Sequence, residues 1–385
     1  MDQLEKKIKT AGQKSELDAV LVFGPDNFNY FTRTVLPFAE HNPNRRSAAL
    51  LPRDGSPVIV CPHDWSQAIR DQGWKGEIIS LDENTALGTE ALINSLMEVM
   101  VSLGLDRKKI GFDASRATKA TIDLLQRKAP GAEWVQADQM MVSLRLVKTL
   151  GEVAHIERAC KQTDMGIVWA LMHLEGAVEN PGYNIAEFTE RIRVHINENG
   201  ASGVGLLNTA FGTEGQKYYT PQRGWVKDGE LFRMDVSAHY MGYWTNLGRM
   251  GVVGTPSSEQ EAAYSDNLRL KSLALEMIKP GVACSEVYAH VVRAAERMAV
   301  GIWEEPGIGH GVGASHHEAP YLSLGCSTVL QPGMTLALDI YTYGPRQELV
   351  HSKDVYLITE EGNRKLSWYR SWDKLYAVTG WRATH

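Results

Sequence analysis

The chain has 385 residues, 43% of them hydrophobic and 22% charged, with a formal net charge of −6 and a pI near 6.1. This length predicts two domains with buried cores, and the mildly acidic balance argues against nucleic acid as a partner. Since we find no apolar leader, no run of about 18 apolar residues and no CxxC pair among the four scattered cysteines, we expect a cytoplasmic protein with reduced thiols and no membrane partner.

Residues 1–145 alternate short apolar runs with helical stretches. The run Ala19–Phe23 ends at a Gly-Pro pair, which is a turn signal. Two further runs, Ala48–Pro52 and Val58–Cys61, flank an Asp-Gly pair and predict a β-hairpin. This alternation of elements predicts an N-terminal α/β domain with a mixed sheet over residues 1–145.

From Ser143 onward the predicted elements become longer. Helical periodicity covers about 151–175, 185–199, 259–279 and 285–299, and strand-like runs dominate 206–253 and 307–357. We therefore expect a second domain of the α+β class over residues 146–385.

The stretch Gly229–Arg249 looks like a metal-binding hairpin in which one ligand is altered. Asp235 and Asn246 are eleven residues apart, a spacing that lets two side chains on paired strands point at the same place, with Ala238–Met241 as the turn region. An acid at both positions would suit two cations held by shared carboxylates. The amide of Asn246 removes one of those negative charges.

Three segments further along the chain carry the same chemistry. His310 stands among glycines that let the backbone crowd a site, and His317 follows seven residues later. Asp339 ends an apolar strand that begins after a Pro-Gly pair, and Lys353 stands near the start of the next strand. These residues, together with the hairpin, predict one polar site in the second domain.

Together the GHGxG…HE, PGM and hairpin segments resemble the creatinase, prolidase and aminopeptidase P family (M24), the pita-bread hydrolases. The resemblance covers nearly the whole chain, and it implies a pita-bread C-terminal domain, a smaller N-terminal α/β domain and a homodimer. Metal-dependent members hold two ions with five ligands: two Asp, one His and two Glu. The corresponding positions here are Asp235, Asn246, His310, Asp339 and Lys353.

Lys353 makes a dinuclear metal site improbable in this comparison. A protonated amine cannot ligate a metal ion. At ~4 Å it also repels another unit positive charge by about 4 kcal/mol at an effective dielectric constant of 20. We therefore expect no cofactor, with the Lys353 ammonium paired to Asp235 or Asp339 instead. The alternative is one divalent ion held by Asn246, His310 and Asp339.

The expected function is creatinase-like hydrolysis of a C–N bond in a small polar metabolite, without a dinuclear metal centre. The resemblance implies that His317 transfers protons at the scissile bond, for which an imidazole pKa near neutrality is suitable. Asp235, Asp339 and Lys353 would position substrate and water, and His310 would bind substrate or orient the site. The alternatives are an Xaa-Pro-type metallopeptidase with a mononuclear or degraded metal site, a lyase acting on a small zwitterion, and an inactive ligand-binding relative.

Four more residues are candidates for substrate binding. Asn246 faces the same place as Asp235, and Tyr218 stands near the position of a substrate-facing histidine in creatinase. The resemblance places Arg45 and Arg46 where creatinase has an arginine that reaches the partner subunit's site, and a guanidinium can bind a carboxylate bidentately. His316, next to His317, is expected to face away from the site.

Overall fold

The computed structural model of the chain describes residues 3–37, 46–82, 88–177, 183–212, 224–303, 307–367 and 370–380. It divides the chain into two units, Met1–Arg145 and Leu146–His385. Each unit is built on a sheet of its own. Within the described ranges, no helix is both long enough and apolar enough to cross a membrane.

The N-terminal unit is built on a mixed six-stranded sheet. Its strands are Ala19–Val22 (β1), Ala48–Pro52 (β2), Val58–Pro62 (β3), Glu77–Leu81 (β4), Lys109–Phe112 (β5) and Glu133–Gln136 (β6), in the order β4-β3-β2-β1-β5-β6. The predicted hairpin is present as the antiparallel pair β2 and β3, and β1 runs parallel to β5. Apolar side chains of the sheet and its helices form a hydrophobic core.

Among the described residues of this unit, six helices accompany the sheet: Gln3–Lys14 (α1), Pro25–Thr32 (α2), His63–Asp71 (α3), Thr89–Ser102 (α4), Lys119–Lys128 (α5) and Asp138–Leu146 (α6). Helix α2 begins with Pro25, whose fixed φ suits the first turn of a helix. Helix α5 begins after Thr118, whose side-chain oxygen accepts a hydrogen bond from the Thr121 amide. These two helices therefore start where local sequence signals favour them.

Over its described ranges, the C-terminal unit is built on a nine-stranded sheet with four helices. The helices are Leu150–Ala177 (α7), Ile185–Glu198 (α8), Ser258–Met277 (α9) and Cys284–Met298 (α10). The strands are Gly203–Phe211 (β7), Leu231–Tyr240 (β8), Tyr243–Val253 (β9), Gly309–Gly311 (β10), Glu318–Tyr321 (β11), Thr335–Tyr343 (β12), Leu349–Ile358 (β13), Asn363–Lys365 (β14) and Tyr376–Val378 (β15). The path runs β11-β10-β12-β13-β9-β8-β7, with β14 beside β13 and β15 beside β9.

Strands β8 and β9 form the predicted hairpin, but its turn is shorter than expected. Ala238 pairs with Thr245 and Tyr240 pairs with Tyr243, so strand pairing continues through the segment we predicted to be the turn. Met241 and Gly242 make the reversal, with φ angles of 52° and 76°. Positive φ at both central residues is typical of a type I′ turn, whose twist matches that of the paired strands.

Candidate active site

Four strands of the C-terminal sheet place their polar residues in one row. Asp235 on β8 pairs with Gly248 on β9, Gly248 pairs with Lys353 on β13, and Lys353 pairs with Asp339 on β12. Directly opposed residues of antiparallel strands point to the same face of a sheet. The register therefore brings Asp235 beside Asp339 and Lys353, which stand more than a hundred positions later in the sequence.

The Lys353 ammonium is at the centre of this row. Its Nζ lies 3.0 and 3.1 Å from the two carboxylate oxygens of Asp235 and 2.9 Å from Oδ2 of Asp339. It also donates a hydrogen bond of 3.3 Å to Oδ1 of Asn246. Lys353, Asp235 and Asn246 are fully buried and Asp339 is 7% exposed, so the ion pairs are shielded from solvent. We call these four residues the front cluster.

The charges of the front cluster hold one another ionised. Burial alone would lower the pKa of Lys353, but the carboxylates of Asp235 and Asp339 outweigh it and raise that pKa. Burial alone would raise the pKa of Asp339, but Lys353 and His351 outweigh it and hold that pKa below its usual range. At neutral pH the cluster therefore holds an ammonium between two carboxylates. We predicted that Lys353 pairs with Asp235 or Asp339, and in the structure it contacts both.

Hydrogen bonding within the cluster defines the tautomer of His317. Lys353 can only donate, so the Asn246 oxygen faces the ammonium and the amide nitrogen faces His317, 3.2 Å from its Nε2. Nε2 must then accept, and the neutral ring carries its proton on Nδ1. Burial, followed by the charge of Lys353, lowers the pKa of His317 to about 4. The predicted pKa near neutrality is therefore wrong for this histidine.

His310 lies directly against His317. The two rings stack with centroids 3.6 Å apart and planes 22° apart. Nδ1 of His310 donates to the Gly311 carbonyl at 2.9 Å, and its buried Nε2 has no hydrogen-bond partner among the described residues. Burial, followed by His317 and Lys353, lowers the pKa of His310 to about 3. At neutral pH, His310 thus presents an uncharged, unoccupied nitrogen lone pair.

The structure describes some of the predicted substrate-binding residues and not others. Asn246 belongs to the front cluster, whereas Tyr218 and Arg45 lie outside the residues that the structure describes. Arg46 belongs to the N-terminal unit and stands two residues before β2. His316 is exposed, and its ring centroid lies 5.0 Å from that of His317. Its expected orientation away from the site stays a prediction.

Our sequence analysis missed two site residues, His351 and Tyr341. Nε2 of His351 lies 2.7 Å from Oδ1 of Asp339, and the Tyr341 hydroxyl donates to Oδ2 of Asp235 at 3.1 Å. Both residues are buried. The available signal was strand periodicity, because each residue stands two positions from a predicted site residue and therefore on the same face of its strand.

Family models match both units of the chain. Residues 154–360 match the family model "Metallopeptidase family M24", and residues 3–147 match "Creatinase/Prolidase N-terminal domain". An Xaa-Pro dipeptidase of Pyrococcus horikoshii is 28% identical over 269 residues, which cover 68% of this chain and 73% of that relative. A putative dipeptidase of Bacillus subtilis is 26% identical over 82% of this chain and 85% of its own length.

The fold has a counterpart among solved structures. The crystal structure of an X-Pro aminopeptidase from Thermotoga maritima matches with a TM-score of 0.83 and 17% identity, and the match covers 98% of this chain and 100% of that one. At this identity the likeness shows the fold alone. The family and structure matches together confirm the predicted pita-bread fold with a smaller N-terminal α/β domain.

These matches also overturn one prediction, namely that the enzyme has no cofactor. The family whose model matches is one of metallopeptidases, and membership implies a metal ion. We based the prediction on the amide of Asn246 and the ammonium of Lys353. Those two substitutions describe how the donor set has changed, and they do not decide which cofactor the enzyme uses.

The donor atoms of the described residues do not fit the pair of ions that five ligands hold in the family. Nζ of Lys353 lies 2.9 to 3.1 Å from the carboxylates of Asp235 and Asp339, and an ammonium has no lone pair to offer. Across the described ranges, no group of three or more His, Cys, Asp or Glu side chains is arranged to hold a metal ion. The chemistry below therefore contains no step through a metal.

Proposed function

Because the chain belongs to metallopeptidase family M24, we propose that this hydrolase is a dipeptidase of the Xaa-Pro type, acting on small peptides. The observation that carries the proposal is the position of His317. It is only half-buried, whereas the front cluster and His310 beside it are buried. A substrate that reaches His317 from solvent would therefore meet a proton acceptor and, directly behind it, a charged cluster in a low-dielectric environment.

The chemistry of peptide hydrolysis suits this arrangement. In the proposed reaction, water replaces the Asn246 amide as the partner of Nε2 of His317. Nε2 then takes a proton from that water, and the resulting hydroxide attacks the peptide carbonyl carbon. The imidazolium then gives that proton to the leaving nitrogen as the C–N bond breaks. Its lowered pKa of about 4 makes the imidazolium a ready donor for this second step. The fixed charges of Lys353, Asp235 and Asp339 orient the polar groups of the substrate.

Two relatives named above support a peptidase more directly than the creatinase-like activity that we expected first. One is an Xaa-Pro dipeptidase and the other a putative dipeptidase, and both match over more than half of their own length. The roles expected for Tyr218, Arg45 and Arg46, the homodimer and the cytoplasmic location stay predictions.

A substrate panel tests the proposal. Ala-Pro, Leu-Pro and Met-Pro would be compared with Ala-Ala and Leu-Leu, with creatine as the competing substrate, each with and without added Mn²⁺. We expect release of free proline from the Xaa-Pro peptides at least about tenfold faster than cleavage of the matched peptides, a ratio that corresponds to about 1.4 kcal/mol. Cleavage of creatine alone, or of no dipeptide under either condition, would contradict the proposal.

A further inference from the structure

The two residues that sequence analysis missed form a connected support beneath the front cluster. Tyr341 on β12 and His351 on β13 are directly opposed in the sheet, and their rings stack with centroids 3.9 Å apart and planes 5° apart. His351 contacts Asp339 and Tyr341 contacts Asp235. One stacked pair thus reaches both carboxylates that hold the Lys353 ammonium.

The backbone leaves space for this stack at one position. A β-carbon on Gly248 would lie 2.1 Å from Cε1 of His351 and 2.6 Å from both ring nitrogens. Because the ring is stacked on Tyr341, it has little freedom to move aside. Tyr341 also contacts Trp303, whose ring centroid lies 5.2 Å away in an edge-on arrangement. The ring of His351 is therefore held in one orientation.

Among the described residues, His351 forms a side-chain hydrogen bond through one of its two ring nitrogens, Nε2. The Asp339 carboxylate is an acceptor, so Nε2 of His351 donates to Oδ1, while Lys353 binds Oδ2 of the same carboxylate. Nδ1 of His351 is buried and has no hydrogen-bond partner within the described residues. The polar interaction of this side chain is therefore directed at Asp339, whose two oxygens are held by His351 and Lys353.

We infer that His351 is a positioning residue for hydrolysis, which fixes the orientation of the Asp339 carboxylate against Lys353 while the stacked Tyr341 fixes that of Asp235. The inference rests on the proposed function for the reaction that is positioned. The two histidines then have different roles: His317 exchanges protons, and His351 acts through Asp339 without contacting substrate.

A matched pair of variants tests this role. His351→Gln places an amide nitrogen near the position of Nε2 and keeps the bond to Asp339, whereas the shorter His351→Asn cannot reach it. We expect His351→Asn to lower kcat about 10- to 100-fold, the range for losing a hydrogen bond that fixes a charged site residue. KM should stay within about twofold, and His351→Gln should recover most of kcat. The control is Ser352→Ala, the next residue on β13, which is buried and outside the site.

Crystal structures of the two His351 variants supply a readout that does not depend on substrate. The distance from Asp339 Oδ2 to Lys353 Nζ, 2.9 Å in the parent, should be kept in His351→Gln and lost in His351→Asn. Equal kcat values in the two variants, or an unmoved Asp339 in His351→Asn, would overturn the inference. If the parent cleaves no dipeptide, the proposed function fails by itself, and the position of Asp339 still decides whether His351 positions it.

Discussion

Strand β13 has a buried ionic cluster on each side, and the two differ in what they connect. Lys353 centres the front cluster, and its neighbour Asp354 points to the opposite face. Asp354 forms ion pairs with Arg249, Lys271 and Lys365, and Arg249 forms a further ion pair with Asp164. We call these five residues the back cluster.

The back cluster ties separate elements together. Asp164 comes from α7, Lys271 from α9 and Lys365 from β14, so its ion pairs join two helices and an added strand to the central sheet. Burial alone would raise the pKa of Asp354, but Lys271 and Arg249 outweigh it and hold that pKa well below its usual range. Losing this carboxylate would leave three cations without their shared acid.

The front cluster joins only strands of one sheet, and a half-exposed histidine adjoins it. The backbone pairing of β8, β9, β12 and β13 already connects the strands that its ionic contacts join. Buried charge that joins separate elements serves the scaffold, whereas buried charge confined to one face beside an accessible base serves chemistry. This difference predicts which measurements respond to each cluster.

The largest effect is expected for His317→Asn, beside the front cluster. A positioned imidazole contributes about 10²–10⁴ in rate, so kcat should fall by that factor while KM changes little. The free energy of unfolding should change by less than about 0.5 kcal/mol, because the side chain is half-exposed and its one hydrogen bond to a described residue is to Asn246. Steady-state kinetics and urea denaturation measure the two quantities. A variant that loses stability but keeps kcat would remove the distinction between the clusters.

Asp354→Asn is the corresponding change in the back cluster. Removing one partner of a buried ionic network costs about 3–5 kcal/mol, because the remaining charges stay buried. The free energy of unfolding should fall by that amount. In the protein that stays folded, kcat should remain within about twofold of the parent, since this carboxylate lies on the face away from His317. A large loss of kcat at full stability would show that the back cluster takes part in the chemistry.

The sequence located the front cluster better than its support. Asp235, Asn246, Asp339 and Lys353 stand in segments whose spacing resembles a known family, and the register brings them together. His351 stands in the same segment as Lys353, but its role depends on which residues of β12 and β13 are opposed, and single-strand periodicity cannot give that. The hairpin turn was misjudged for a local reason: a methionine at positive φ is uncommon, so Met241 carried no turn signal.

The smallest effect is a difference in acid sensitivity between the clusters. His310 has a folded-state pKa of about 3 against an ordinary value of 6.5, so the unfolded chain binds a proton that the folded chain does not. Its contribution to stability is complete above pH 6.5 and is lost as the pH falls towards 3, at up to about 1.4 kcal/mol per pH unit. Asp354 behaves differently: with a pKa held below 3.8, it contributes in full above that pH and loses its contribution only below it.

Between pH 4.5 and 6, the slope of unfolding free energy against pH should therefore become shallower in His310→Gln and stay unchanged in Asp354→Asn. Urea denaturation followed by tryptophan fluorescence measures the slope, with the exposed His63→Gln as control. An equal slope in His310→Gln and the parent would mean that His310 is not the buried neutral base that its geometry indicates.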